Sequence, residues 1–160
     1  MPCTLIISAV LCGLLNSDIE TITTAMSQGD TSSEELTQFY IVRAEKIDGG
    51  EQGLHCILAH NPNAIADANR LDAQRASGNV KGPLHGVPIL IKDNIETREL
   101  PTTAGSLALV NNRTGRDATV VERLRSAGAV ILGKSNLSEW ANIRSSNSSS
   151  GWSAVGGLTR

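Results

Sequence analysis

Two short aliphatic runs constrain this chain more than anything else in it. Val87-Pro88-Ile89-Leu90-Ile91 and Ala129-Val130-Ile131-Leu132 are continuous in apolar residues, with no polar residue alternating between them. A strand of that kind is predicted to be buried on both faces, which requires layers above and below the sheet. Each run is entered from a turn glycine, Gly86 and Gly128. Pro88 stands near the start of its run, where a missing N–H is tolerated.

The remaining segments supply helices for those layers. Ser17 is expected to cap a short helix from Asp18 to Gln28, closed by Gly29. Thr31-Ser32-Ser33-Glu34-Glu35 contains two overlapping capping-box patterns, Thr31 with Glu34 and Ser32 with Glu35. The following helix places Leu36, Phe39, Tyr40, Ala44 and Ile47 on one face, and Gly49-Gly50 ends it. His55 to Ala59 reads as a third short strand. Asn61-Pro62 reads as N-cap and first turn of a helix burying Ile65, Ala68 and Leu71. Asp117 heads another helix, with Val120, Val121, Leu124 and Ala127. A last short helix is expected to begin at Ser135 or Asn136 and run through Trp140. Residues 95–116 show no period and read as an extended loop. Helices alternating with short buried strands define the α/β class. Three strands make a small sheet, expected to be unfinished within this chain.

Composition excludes some partners. Fourteen Lys+Arg stand against sixteen Asp+Glu, a formal net charge of -2, so no basic footprint for nucleic acid exists. Aromatic residues make up 2% of the chain, too few for a base-stacking platform, so the core must be aliphatic. Cys3, Cys12 and Cys56 are odd in number and widely spaced, which suits reduced thiols better than a disulfide framework. Leu5 to Leu15 is apolar and has the length of a signal-peptide core, yet is too short to span a bilayer. No Lys or Arg precedes it; the first is Arg43. A cytoplasmic chain is therefore favoured over a secreted one, with no membrane partner. In a secreted chain Asn112, Asn136 and Asn147 would head glycosylation sequons.

Four groups invite a chemical reading. Gly128 to Ser135 fits the phosphate-loop pattern G-x-x-x-x-G-K-[ST]. Its variable positions are Ala, Val, Ile and Leu, however. They are expected to form a strand flanked by two turn glycines, with Lys134 following it, and a ladder would consume the N–H groups that phosphate needs. His55, Cys56 and His60 lack a second ligand pair at a familiar spacing. Ser148-Ser149-Ser150-Gly151 is a serine cluster of the kind found in flexible loops, and no base pairs with it in sequence. Lys92 directly follows the first aliphatic run. Two readings of it stand on the residues alone: a desolvated amine able to act as a general base, or a lysine reaching solvent at a strand end.

Gly82-Pro83-Leu84-His85-Gly86-Val87-Pro88-Ile89-Leu90-Ile91-Lys92-Asp93-Asn94 resembles the opening of the amidase signature family, as does the stretch from Asp117 to Asn136. Asn136-Leu137-Ser138-Glu139-Trp140-Ala141-Asn142, then Gly151-Trp152-Ser153-Ala154 and Gly156-Gly157, look most like its peptide-amidase branch. The resemblance implies helices around a mixed β-sheet and hydrolysis of a carboxamide C–N bond by a Ser–cis-Ser–Lys triad. Lys92 matches the family's lysine, which would deprotonate a bridging serine that activates the nucleophile. No metal or organic cofactor is implied, and the substrate class is a small amide or an amidated peptide. Residues 1–15 are then an apolar N-terminal segment, and residues 16–160 the N-terminal portion of an amidase domain that stops before the catalytic serines. A chain with the lysine alone is expected to be inactive. The alternatives are an A-type subunit of a tRNA-dependent amidotransferase, which the Trp140 and Trp152 blocks argue against, and a non-catalytic or phosphate-loop nucleotide-binding protein.

Overall fold

The computed structural model describes residues 9–160; the first part of the apolar segment, residues 1–8, lies outside the described residues. Helix α1 (Ala9–Gly13) and a 3-10 turn (Leu14–Asn16) lead into α2 (Ile19–Gln28) and α3 (Ser33–Ile47). Strand β1 (Ile57–His60), helix α4 (Ala64–Ala76), strand β2 (Pro88–Lys92), helix α5 (Thr119–Ser126) and strand β3 (Val130–Ser135) follow. The hairpin β4 (Trp152–Ser153) and β5 (Gly157–Leu158) closes the order.

The main sheet has the order β1-β3-β2, with β2 parallel and β1 antiparallel to β3. The sheet is therefore mixed, and β3 is its centre. Alternation along β3 assigns the two layers. Val130 and Leu132 pack with Ala64, Ala68 and Leu71 of α4, while Ile131 packs with Ile91 and with Val121 of α5. Val87 joins a third cluster with Ile22, Met26, Leu36 and Phe39 of α2 and α3.

Polar groups fix the helices in place. Ser32 caps α3 in a reciprocal box with Glu35, so one of the two overlapping patterns is used. A second carboxylate supports the same helix end from another element. Asp72 of α4 accepts the N–H groups of Ser33 at 2.8 Å and Glu34 at 2.9 Å, placing negative charge where the helix dipole favours it. His85 is buried, with Nδ1 accepting from the Lys81 N–H at 3.1 Å and Nε2 facing the Leu71 carbonyl at 2.9 Å. Burial depresses its pKa, and the Lys81 donor leaves no place for a second ring proton. Gly128 (φ +94°) lies against it: a Cβ there would sit 2.6 Å from the His85 Cα.

Several local expectations are corrected by tertiary contacts. Asp18, not Ser17, caps α2, and Asn63 rather than Asn61 precedes α4. Asn61 is instead a buried bracket, its side-chain amide donating to the Ile131 carbonyl at 2.8 Å and its N–H to that of Leu132 at 2.9 Å. Ile47 and Val120 are exposed. The third strand starts at Ile57, not His55, so His55 (φ +55°) and Cys56 lie outside it. Gly133 is no turn residue: it lies inside β3, where a Cβ would stand 2.3 Å from the Ala59 carbonyl oxygen. The expected last helix is only a 3-10 turn, Glu139–Asn142. The run Val87 to Ile91 is not buried on both faces; Ile91 is buried while Leu90 is 37% exposed.

Candidate active site at the strand ends

Strands β2 and β3 run parallel and end side by side, with Lys92 paired to Ser135. The carboxyl end of parallel strands is where open α/β sheets place ligands, because the loops leaving it are free to carry side chains. Two lysines mark this end, and the structure treats them oppositely. Lys92 is exposed, and among the described residues its ammonium has no ion pair or side-chain hydrogen bond. In this chain the Lys92 side chain reaches solvent, and the fully buried lysine is Lys134.

Lys134 lies within β3, not after it, and is fully buried. Its Nζ reaches Asp93 Oδ1 at 3.1 Å, Thr102 Oγ1 at 3.0 Å and the Pro101 carbonyl at 3.2 Å. All three ammonium protons thus have acceptors. Burial pulls the Lys134 pKa down, and the Asp93 carboxylate opposes that pull. Asp93 is buried as well. Its Oδ2 accepts the Thr103 N–H at 3.1 Å and a short hydrogen bond from the Thr103 hydroxyl. Its main chain is also committed, with N–H to the Ser135 carbonyl at 3.1 Å and carbonyl to the Ala104 N–H at 3.0 Å. The residue after Lys92 is therefore anchored from both sides.

The turn at residues 101–105 passes this order to a second loop. The Ala104 carbonyl accepts the Trp140 N–H at 2.9 Å, and the Gly105 carbonyl accepts that of Val155 at 3.2 Å. Trp140, Ala141 and Asn142 all have left-handed backbone, φ 51°, 52° and 64°. Each such non-glycine residue costs roughly 1–2 kcal/mol, so neighbours must hold the turn. Glu139 accepts the Ala154 N–H at 2.9 Å, and the Ser138 hydroxyl accepts that of Gly151 at 2.8 Å. Asn136 ties the strand end to the His55 carbonyl ahead of β1 and, through Ser153, Gly157 and Thr159, to the hairpin. Trp140, Trp152, Glu139 and Ser149 line an open cleft here. Sequence reasoning missed this turn, since Trp and Ala carry no signal for left-handed backbone.

The other candidates are placed elsewhere. The serine cluster lies in an exposed loop, with the Ser148 hydroxyl donating to the Ser145 carbonyl at 2.7 Å. Cys56 donates its thiol to Asp48 at 2.7 Å, and burial with that carboxylate pushes its pKa up to about 11, unsuited to nucleophile or ligand. His55 is spent on the Gly50 carbonyl at 2.7 Å, and His60 is an exposed residue of β1. The phosphate-loop reading fails on geometry. Residues 130–135 lie in a ladder between two strands, and Lys134 faces Asp93 rather than an open loop.

The α/β arrangement of this chain is shared with known amidases. The Amidase family model matches residues 35–155. A probable amidase of Arabidopsis thaliana is 45% identical over 141 residues, 86% of this chain and 27% of its own length. The A-type subunit of the glutamyl-tRNA(Gln) amidotransferase of Thermobifida fusca is 45% identical over 117 residues, 73% of this chain and 23% of its own. The crystal structure of the native peptide amidase from Stenotrophomonas maltophilia superposes with a TM-score of 0.89 at 46% identity, over 92% of this chain and 30% of that one. The chain belongs to the amidase family. It spans about a quarter of the length of the curated relatives it matches.

Proposed function

We propose that this chain supplies the general base of an amide hydrolase, and that the base is Lys92. The observation that carries the reading is the position of Lys92: the unpaired amine of an exposed side chain at the carboxyl end of β2, on a backbone anchored through Asp93. As the base, Lys92 would take a proton from a bridging serine. That serine would in turn deprotonate the nucleophile, which attacks the amide carbon and releases ammonia or an amine. By the family resemblance both serines follow Arg160. The substrate class is a small amide or an amidated peptide, in keeping with the likeness to a peptide amidase. A tRNA-dependent amidotransferase would use the same lysine; the likeness to the Thermobifida fusca protein keeps that reading as the second.

The test grafts this chain in place of the matching segment of the Stenotrophomonas maltophilia enzyme and measures ammonia release from peptide amides. Lys92→Ala is expected to cost at least about 10²–10⁴-fold in rate. Lys92→Arg fails as well, because a guanidinium stays protonated. Near-normal turnover by Lys92→Ala removes the proposal. The 160-residue chain alone is expected to release no ammonia, since a base without a nucleophile has nothing to activate. Activity that vanished in a Ser148/Ser149/Ser150 triple alanine variant would make that cluster catalytic instead.

A further inference from the structure

We infer that Lys134 and Asp93 form a positioning pair for Lys92: their buried ion pair locks the ends of β2 and β3 to the turn at residues 101–105 and so sets the direction in which the Lys92 side chain leaves the sheet. The inference rests on the reading of Lys92 as the base. The burial of Lys134 calls for an explanation first. A fully buried lysine on a central strand costs far more than an aliphatic residue of similar length, unless its charge is matched and hydrogen-bonded. Here the match is complete, and it is made to one particular place. Asp93 is the residue next to Lys92, and Thr102 and Pro101 belong to the turn that crosses over the strand ends.

The backbone shows what the pair holds. Asp93 bonds through its main chain to Ser135 on one side and Ala104 on the other, and through its carboxylate to Lys134 and Thr103. The Lys92 carbonyl accepts the Ile95 N–H at 2.9 Å, closing the turn immediately after the strand. Lys92 is therefore carried on a peptide whose far end is fixed in every direction, although its own ammonium has no partner among the described residues. A pair serving stability alone could sit anywhere in the core. This one joins the end of β3 to the residue after Lys92 and to the turn at residues 101–105, and neither charged group is exposed to act on substrate itself.

The test separates positioning from bulk stability by removing both charges together. Lys134→Met/Asp93→Leu leaves no uncompensated buried ion, so the sheet can stay folded. Hydrogen exchange on the full 160-residue chain is expected to show protection falling roughly tenfold or more in residues 92–95 and 101–105, with the β1–β3 ladder at 57–60 and 130–133 unchanged. Uniform loss, or no loss, overturns the proposal. In the grafted enzyme the double variant is expected to lose about 10–100-fold in kcat with KM unchanged, as for a displaced base. Unchanged kcat, alongside a dead Lys92→Ala, sinks the positioning role and leaves the base intact. A live Lys92→Ala sinks the base reading, and the hydrogen-exchange result then decides whether the pair orders the strand end at all.

Discussion

Strands β2 and β3 are nearly interchangeable as text: a turn glycine, an aliphatic run, a lysine. In the molecule they differ. Every β3 residue from Val130 to Lys134 is buried, whereas β2 alternates half-buried and exposed positions with only Ile91 enclosed. The reason is rank in the sheet. β3 has a strand on each side and helices on both faces, and β2 has a described neighbour on one side only. The same difference divides the lysines. Position 134 demands a counter-ion and receives Asp93; position 92 demands nothing and keeps its amine in solvent.

The comparison can be broken most sharply at Lys134. Lys134→Met alone leaves Asp93 buried and unpaired, and urea unfolding is expected to show about 3–5 kcal/mol of lost stability. Recovery of most of that loss on adding Asp93→Leu would show that the charge, not the packing, was responsible. The aliphatic positions give the next largest contrast. Ile131→Ala is expected to cost about 2–5 kcal/mol by opening a cavity in a closed site. Leu90→Ala should fall within about 1 kcal/mol, because that side chain already meets water. Equal losses at the two positions would erase the distinction between strands.

Smaller effects sharpen the frame around the strands. Ser32→Ala removes one half of the capping box of α3 and is expected to cost about 1 kcal/mol by thermal melting, with the helix retained. His85 adds a pH dependence. Its folded-state pKa lies below the ordinary value near 6.5, so above that value it is neutral in both states. As pH falls through and below about 6.5 the unfolded chain takes up a proton that the folded chain resists, and stability declines. Tm should therefore fall on acidification from pH 7 to 5, and fall less in a His85→Gln variant. Lys92→Ala should move Tm least of all, since an exposed unpaired lysine supports no ion pair or side-chain hydrogen bond.

How much was legible in the sequence follows from the range of each signal. The capping box at Ser32 and Glu35, the helices at Leu36 and Ala68 and the two aliphatic strands are local patterns, and they appear close to where the residues place them. The motif around Lys92 was legible as a family resemblance, and the match over residues 35–155 bears that membership out. What no local pattern carried was partnership. Asp93 and Lys134 are far apart in the chain and become an ion pair only because β2 and β3 lie parallel in register. The left-handed turn at Trp140 depends on Ala104 and Ala154, which distant loops bring to it.

The sequence by itself determined the class of fold and the position of its short aliphatic strands, because periodicity, capping and turn chemistry act over a few residues; the lysine worth testing came from the resemblance of its motif to a family. Tertiary structure decided which of two similar strands is central, and with it which lysine is buried. Burial is a property of neighbours on all sides, and only the assembled sheet supplies them.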